Sequence, residues 1–313
     1  MAVTSTAGPG RTGPVLAVVG PTAAGKSDLG VALAAAIGGE IVNADSMQLY
    51  RGMDIGTAKL TPAERRGVPH HLLDIWPVTE TASVAAYQEL ARATVARVLD
   101  RGRVPVLVGG SGLYIRAVLD DLRFPGTDPA LRGRLEAELA ATGAPALHAR
   151  LAAVDPVAAG GILPTNGRRI VRALEVIELT GGPFTATLPD QAGAPARYDA
   201  VQLGVDRAAA ELDDRITARV HRMWTLGLVD EVRGLRSAGL ADGLTASRAL
   251  GYQQVLRALA GGYSLDEARA ETVRATRRFA RRQRSWFRRD PRIHWLDGAS
   301  PALLADALRT LDR

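Results

Sequence analysis

The chain has 313 residues, 47% of them hydrophobic, which is enough for a sizeable core and excludes a disordered chain. It has no cysteine, so disulfides, thiolate metal sites and a cysteine nucleophile are ruled out. The net charge is +6, from 39 basic and 33 acidic residues, and only Lys26 and Lys59 of the basic residues are lysine.

Apolar runs such as 15–19 and 104–108 are strand-length, and none approaches the roughly 20 residues of a membrane span. Residues 1–14 are small and polar, with Arg11 as their only charge and no apolar signal-peptide core. The expectation is a soluble cytoplasmic protein with a flexible tail over 1–13.

Taken in chain order, the β-branched run 15–19 predicts a buried parallel strand, ending at Gly20. A glycine loop follows to Ser27, then an Ala- and Leu-rich helix over 27–37 that stops at Gly38 and Gly39. Residues 40–43 read as a second strand leading to Asp45, and 47–82 as irregular chain punctuated by Gly and Pro. Val84, Tyr87, Leu90, Ala91, Val95 and Val98 recur at helical spacing, so 83–101 predicts an amphipathic helix. A third strand, 104–108, closes on Gly109 and Gly110, and a helix opens near Ser111. This alternation is βαβ arithmetic and implies a parallel sheet covered on both faces, with ligands at the strands' carboxyl ends.

Between about 125 and 195 the composition shifts toward Pro, Gly and Ala, and 129–142 and 166–179 read as helices. The predicted organisation is an α/β parallel-sheet core formed by 14–125 and 200–313, with a helical insertion over 126–199. Strand character returns at 201–205. Helices are expected over 208–227, 229–238 and 264–289, then a short strand at 292–296 and a tail helix after Pro301.

Residues 20–27, GPTAAGKS, fit the phosphate-binding pattern G-x-x-x-x-G-K-[ST] between a strand and a helix. Its glycines let backbone amides turn toward phosphate, the helix N-terminus adds a positive dipole end, Lys26 adds a mobile cation, and the Ser27 hydroxyl suits Mg²⁺. Gly20, Pro21, Thr22, Ala23, Ala24, Gly25, Lys26 and Ser27 are therefore the candidate phosphate or diphosphate site, and the loop alone does not say which. An ATP reading lacks one part: the run at 104–108 ends in glycines, not in the acid that would complete a kinase. The segment 272–289 holds eight arginines and no acid, which suggests a polyanionic partner, nucleic acid first.

Further motifs accompany the loop: NADSMQLY at 43–50, DIGTAK at 54–59, VPHHLLD at 68–74, GGSGLY at 109–114, RRIVRALE at 168–175, ALGYQQ at 249–254 and RQRSWFR at 282–288. In this order, over nearly the whole chain after residue 14, they resemble the tRNA dimethylallyltransferases. The resemblance implies a P-loop kinase-like core with a helical insertion that embraces the anticodon stem-loop. It also implies transfer of a dimethylallyl group from dimethylallyl diphosphate, with Mg²⁺, to the exocyclic amine of the adenosine at tRNA position 37, in tRNAs reading codons that begin with U. The P-loop would then grip a diphosphate leaving group rather than ATP.

On that reading Asp45 matches the family's catalytic aspartate and is the candidate general base, because an adenine amine must lose a proton as it attacks. Ser46, Met47 and Gln48 share its turn and are candidate contacts to a flipped base. Ser111 stands where the family usually has threonine and keeps the hydroxyl. Arg219 is the candidate cation on the leaving diphosphate, with Arg215 as its rival, since a guanidinium fork binds two oxygens. Lys59 is assigned a substrate or phosphate role. His70 and His71 are read as structural, because adjacent side chains diverge and no third metal ligand is near. Candidate tRNA contacts, besides Asp45, Ser46, Met47, Gln48 and Ser111, are Arg132, Arg168, Arg169, Ile170, Val171 and Arg172 on the insertion and Arg277 and Arg281 on the basic helix. The expected state is a monomer. Competing readings are a prenyltransferase for free AMP, ADP or ATP, an ATP-dependent small-molecule kinase, and a non-catalytic RNA-binding module.

Overall fold

The computed structural model describes residues 14–122, 124–184 and 196–311, so the tail assigned to 1–13 lies outside them. The apolar run near the start forms β1 (Pro14–Val19), buried after its first residue. It joins β2 (Glu40–Asn43), β3 (His70–His71), β4 (Pro105–Gly109), β5 (Asp199–Asp206) and β6 (Ile293–Asp297) in a six-stranded sheet of order β3-β2-β4-β1-β5-β6. Every pairing is parallel.

Successive β1 side chains alternate between faces, as the strand period requires. Leu16 and Val18 pack with Leu29 and Leu33 of helix α1 (Lys26–Ile37). Val15, Ala17 and Val19 pack with Tyr87, Ala91 and Val95 of α2 (Val84–Asp100) on the opposite face. Helices on both faces explain why the central strands are apolar throughout. The register sets Val19 opposite Gly109 on one side and Gly204 on the other, and Asn43 opposite Val108. The chain therefore leaves β1, β2, β4 and β5 along one edge, where open parallel sheets bind ligands.

The chain forms two compact units, Met1–Asp121 with Pro195–Arg313 and Leu122–Ala194, with transitions a few residues N-terminal of the boundaries read from composition. The first unit adds α3 (Gly112–Leu119), α8 (Ala209–Thr225), α9 (Leu228–Ser237), α10 (Tyr252–Leu259), α11 (Leu265–Phe287) and α12 (Leu303–Leu311). At the start of α11, Ser264 and Glu267 cap each other's backbone amides.

The second unit is helical: α4 (Pro129–Thr142), α5 (Ala144–Val154), α6 (Pro156–Gly160) and α7 (Gly167–Thr180). Leu135, Leu147, Leu151, Ile170, Val171 and Leu174 form its core. The expected helices at 129–142 and 166–179 correspond to α4 and α7. The short α5 and α6 were not expected. Each starts with proline in its first turn, where the missing amide costs nothing, so a residue that punctuates loops here marks a helix start. Asp155 caps α6 by accepting from the Ala158 amide at 2.9 Å. The two-residue β3 and the glycine-bounded α10 were likewise too short for their periodicity to show.

Candidate active site

The phosphate-pattern loop leaves β1 through Gly20, whose φ is +136° and whose added Cβ would lie 2.2 Å from the Val205 carbonyl oxygen. Only glycine fits both the rotation and the close approach. Gly25 precedes the first turn of α1, which begins at Lys26. The loop's carbonyls are occupied by cations. Lys26 Nζ donates to Pro21 O at 2.7 Å, Arg215 Nε to Ala23 O at 2.8 Å and Arg207 Nε to Ala24 O at 3.0 Å. Arg219 Nη1 reaches the Thr22 hydroxyl at 3.4 Å.

Beyond β2 the chain turns tightly around Asp45. Its Oδ1 accepts from the Met47 amide at 2.9 Å, and its own amide donates to Asn43 Oδ1 at 2.9 Å. Asn43 Nδ2 in turn holds the carbonyls of Asp45 and Leu72, both at 3.0 Å. Ser111, just before α3, accepts weakly from the Ser46 amide at 3.4 Å. Gln48 is fixed by donation from its Nε2 to Thr57 O at 3.1 Å.

A cleft of about 730 Å³, open space at its mouth included, lies over this strand edge. Thr22, Lys26, Ser27, Asp45, Gln48 and Arg219 all line it, with Leu60, Leu73 and Phe279 among its apolar wall. Pro21, Ala23, Ala24, Ser46, Met47 and Ser111 are not among the lining residues. Of the two rival arginines, Arg219 lines the cleft and Arg215 braces the loop from outside the lining.

The electrostatics follow from burial. Lys26 is pushed down to about 7, first by loss of water and then by the Arg219 charge, with Asp45 acting in the opposite direction. Asp45 is raised above the usual carboxylate range by burial, against the pull of the Met47 amide and Lys26. Burial and Arg215 lower Arg219. The cleft thus concentrates cations that lack water and a carboxylate that binds a proton more readily than in solution.

Several sequence assignments find other surroundings. Lys59 does not line the cleft. Its Nζ donates to Asp54 and Asp74, both at 2.5 Å, and to Tyr50 O at 3.0 Å, so its charge is spent on ordering the loop. Ile170 and Val171 are fully buried in the second unit's core, which removes their side chains from direct RNA contact. Arg172 is tied to Glu175 and to the carbonyls of Pro125 and Gly126. Arg132 lies 3.6 Å from both Glu136 and Glu175. Arg277 bonds Thr217 at 2.8 Å and the Asp213 carbonyl at 3.3 Å. On α11, Arg284 and Arg288 pair with Asp206, and Arg274 and Arg278 with Glu271. The basic helix therefore satisfies much of its charge internally. Arg168, Arg169 and Arg281 are exposed, and among the described residues their guanidinium groups pair with no acid, the Arg169 contact to Asn166 being made by its backbone amide.

His70 and His71 diverge as expected: Nδ1 of the first meets Val68 O at 2.8 Å, and Nε2 of the second meets Glu40 at 2.7 Å. Among the described residues no group of three or more His, Asp or Glu could hold a metal ion by itself. None of their helices is long and apolar enough to cross a membrane. The sequence reading missed Gln283 as a site residue. It lines the cleft, and the arginines around it in the chain drew the assignment toward RNA.

A glycine loop at the reversal point of a parallel sheet, facing a half-buried carboxylate and an arginine, defines an α/β enzyme of the P-loop kinase-like class. Residues 48–290 match the profile of the IPP transferase family. A curated tRNA dimethylallyltransferase of Salinispora arenicola (strain CNS-205) is 71% identical over 299 residues, covering 96% of this chain and 86% of that protein. The solved full-length tRNA isopentenylpyrophosphate transferase of Bacillus halodurans is 40% identical, with TM-score 0.71 over 96% of this chain and 95% of its own. A eukaryotic dimethylallyltransferase acting on tRNA superposes with TM-score 0.80 at 25% identity, over 95% of this chain and 77% of its own. The chain belongs to the IPP transferase family.

Proposed function

We propose that this enzyme transfers the dimethylallyl group of dimethylallyl diphosphate to the N6 amine of adenosine 37 in tRNAs that read codons beginning with U. The products are N6-isopentenyladenosine and diphosphate. The observation that carries this reading is the convergence of Lys26, Arg219 and Asp45 on one cleft that also has apolar side chains, Leu60, Leu73 and Phe279, in its lining. Cations suit a diphosphate, the carboxylate suits an amine, and Leu60, Leu73 and Phe279 suit a prenyl chain. The named relatives act on tRNA, which favours tRNA over free adenine nucleotides as acceptor.

In the reaction the amine nitrogen forms a bond to the prenyl C1, the C1–O bond to diphosphate breaks, and the amine loses a proton. Asp45 takes that proton, and its raised affinity for protons makes it a better base than a solvated carboxylate. Lys26, held near neutrality by burial, is drawn back to its charged form by a bound diphosphate and stabilises the charge that builds on the leaving group. Arg219 does the same with a charge that does not titrate.

The donor set also fits Mg²⁺. The Ser27 hydroxyl lines the cleft and makes no hydrogen bond among the described residues, and diphosphate oxygens would complete a hard, oxygen-only shell. Bound there, the ion would neutralise leaving-group charge. We assign anticodon-arm contacts to Arg168 and Arg169, with Arg132 and Arg172, on the second unit, and to Arg281 on α11. Ser46, Gln48 and Ser111 are assigned to the adenine region. The enzyme acts as a cytoplasmic monomer.

The test is incubation with radiolabelled dimethylallyl diphosphate and Mg²⁺. An anticodon stem-loop bearing three consecutive adenosines should be labelled. Labelling of free AMP but not of RNA would transfer the assignment to adenylate prenylation, and tight ATP use without prenyl transfer would make the protein a kinase.

A further inference from the structure

Phe279 and Gln283 of α11 both line the cleft, and Gln283 ties the helix to two of its loops by hydrogen bonds. Gln283 is 6% exposed and lies in the arginine-rich run between Arg282 and Arg284. Its Oε1 accepts from the Thr22 amide in the phosphate loop at 2.9 Å. Its Nε2 donates to the Gly110 carbonyl at 2.8 Å, at the end of β4 and next to Ser111. One planar amide therefore joins two loops that are far apart in the sequence, one after β1 and one after β4.

The network leaves no choice in the amide's orientation. Turned over, it would set an N–H against the Thr22 N–H and an oxygen against the Gly110 oxygen. The approach also depends on residue 110 being glycine, since a Cβ there would fall 2.2 Å from Gln283 Nε2. Both ends matter for chemistry. Thr22 borders the leaving-group cations through the Arg219 contact, and Ser111 touches the turn that holds Asp45.

We propose that Gln283 is a positioning residue that sets the spacing between the diphosphate loop and the Ser111 side of the cleft, keeping donor carbon and acceptor amine in register. It acts through the two loops, not on the substrates. The proposal rests on the transfer reaction above, and wild-type turnover in the same assay tests that reading separately.

Two variants divide the possibilities. Q283M keeps the length and bulk of the side chain without either bond. The expected result is a fall of about thirtyfold or more in kcat/KM for the prenyl donor, as small misplacements of reacting groups produce, with tRNA Kd within about twofold of wild type. Q283E supplies a readout that packing alone would not move. The ionised carboxylate can still accept from Thr22 but cannot donate to Gly110 O, whereas the protonated acid can do both. Its activity relative to wild type should therefore rise as pH is lowered from about 8.5 to about 6, while the Q283M ratio stays flat. Q283M kinetics within about twofold of wild type, or a flat Q283E ratio, would overturn the proposal. If Q283M loses its cooperative melting transition, the Q283E ratio decides alone.

Discussion

The chain's two lysines stand in two loops of the same unit, and their surroundings are opposite. Lys26 has one bonded partner, the Pro21 carbonyl, and shares the cleft with the Asp45 carboxylate and the repelling Arg219. Lys59 is fully occupied by Asp54, Asp74 and the Tyr50 carbonyl. A half-buried ammonium with too few partners is poised to receive an anion, and one with two carboxylates has become part of the scaffold. The difference lies in the partners, because both lysines are in tight, glycine-punctuated chain.

The comparison can be broken first at the carboxylate that Lys26 faces. Asp45→Ala should lower prenyl transfer by about 10³–10⁴-fold with an unchanged melting curve, because burial makes the charged carboxylate no asset to stability. Near-normal turnover would remove Asp45 as the base. Lys26→Met should lower kcat by about 10²–10³-fold. It should also shift the acid limb of the pH–rate profile upward, since losing a nearby cation raises Asp45 further.

The same variant tests linkage. The folded-state value of Lys26, about 7, lies below its ordinary 10.5, so between these values the unfolded chain binds the extra proton. Wild-type stability from this group therefore rises with pH through that window, and the full penalty applies below about 7. Lys26→Met should melt higher than wild type near pH 6, with the gap closing as pH approaches the ordinary lysine value.

Lys59→Met should behave in the reverse sense. It leaves two half-exposed carboxylates without their cation and should cost about 1–3 kcal/mol in denaturant unfolding, with donor KM little changed. A loss of donor affinity matching that of Lys26→Met would restore a phosphate role to Lys59. The smallest effect belongs to Arg281→Ala. It should weaken stem-loop binding modestly and lower the salt slope by about 1, leaving prenyl-donor binding unchanged.

These contrasts also mark what sequence alone could show. The glycine loop between β1 and α1 was legible because the G-x-x-x-x-G-K-[ST] pattern fixes the spacing of Gly20, Gly25, Lys26 and Ser27 within one turn. The central strands were legible because burial on both faces leaves no polar position in them. The partners of Lys59 could not be read from the sequence, because Asp54 and Asp74 are ordinary loop acids until the chain folds back on itself. Ile170 and Val171 entered the RNA assignment through a motif whose arginines face outward while its aliphatic residues face the core. Gln283 was hidden in a charge run, since nothing local distinguishes an amide that reaches Thr22 and Gly110 from one that faces water.

The order of strands in the sheet has a consequence for synthesis. β1 is central, yet one of its two neighbours, β5, begins at Asp199, after the entire second unit has been made. During translation the β1 edge that will receive β5 stays without its partner, and such open edges are where strands pair with the wrong chain. Arg219 and Gln283 arrive later still. A ribosome-bound fragment ending near residue 200 would carry the phosphate loop and Asp45 but neither of these later side chains. Competence for catalysis is therefore a property of the finished chain, reached only when its last third closes the sheet around its first strand.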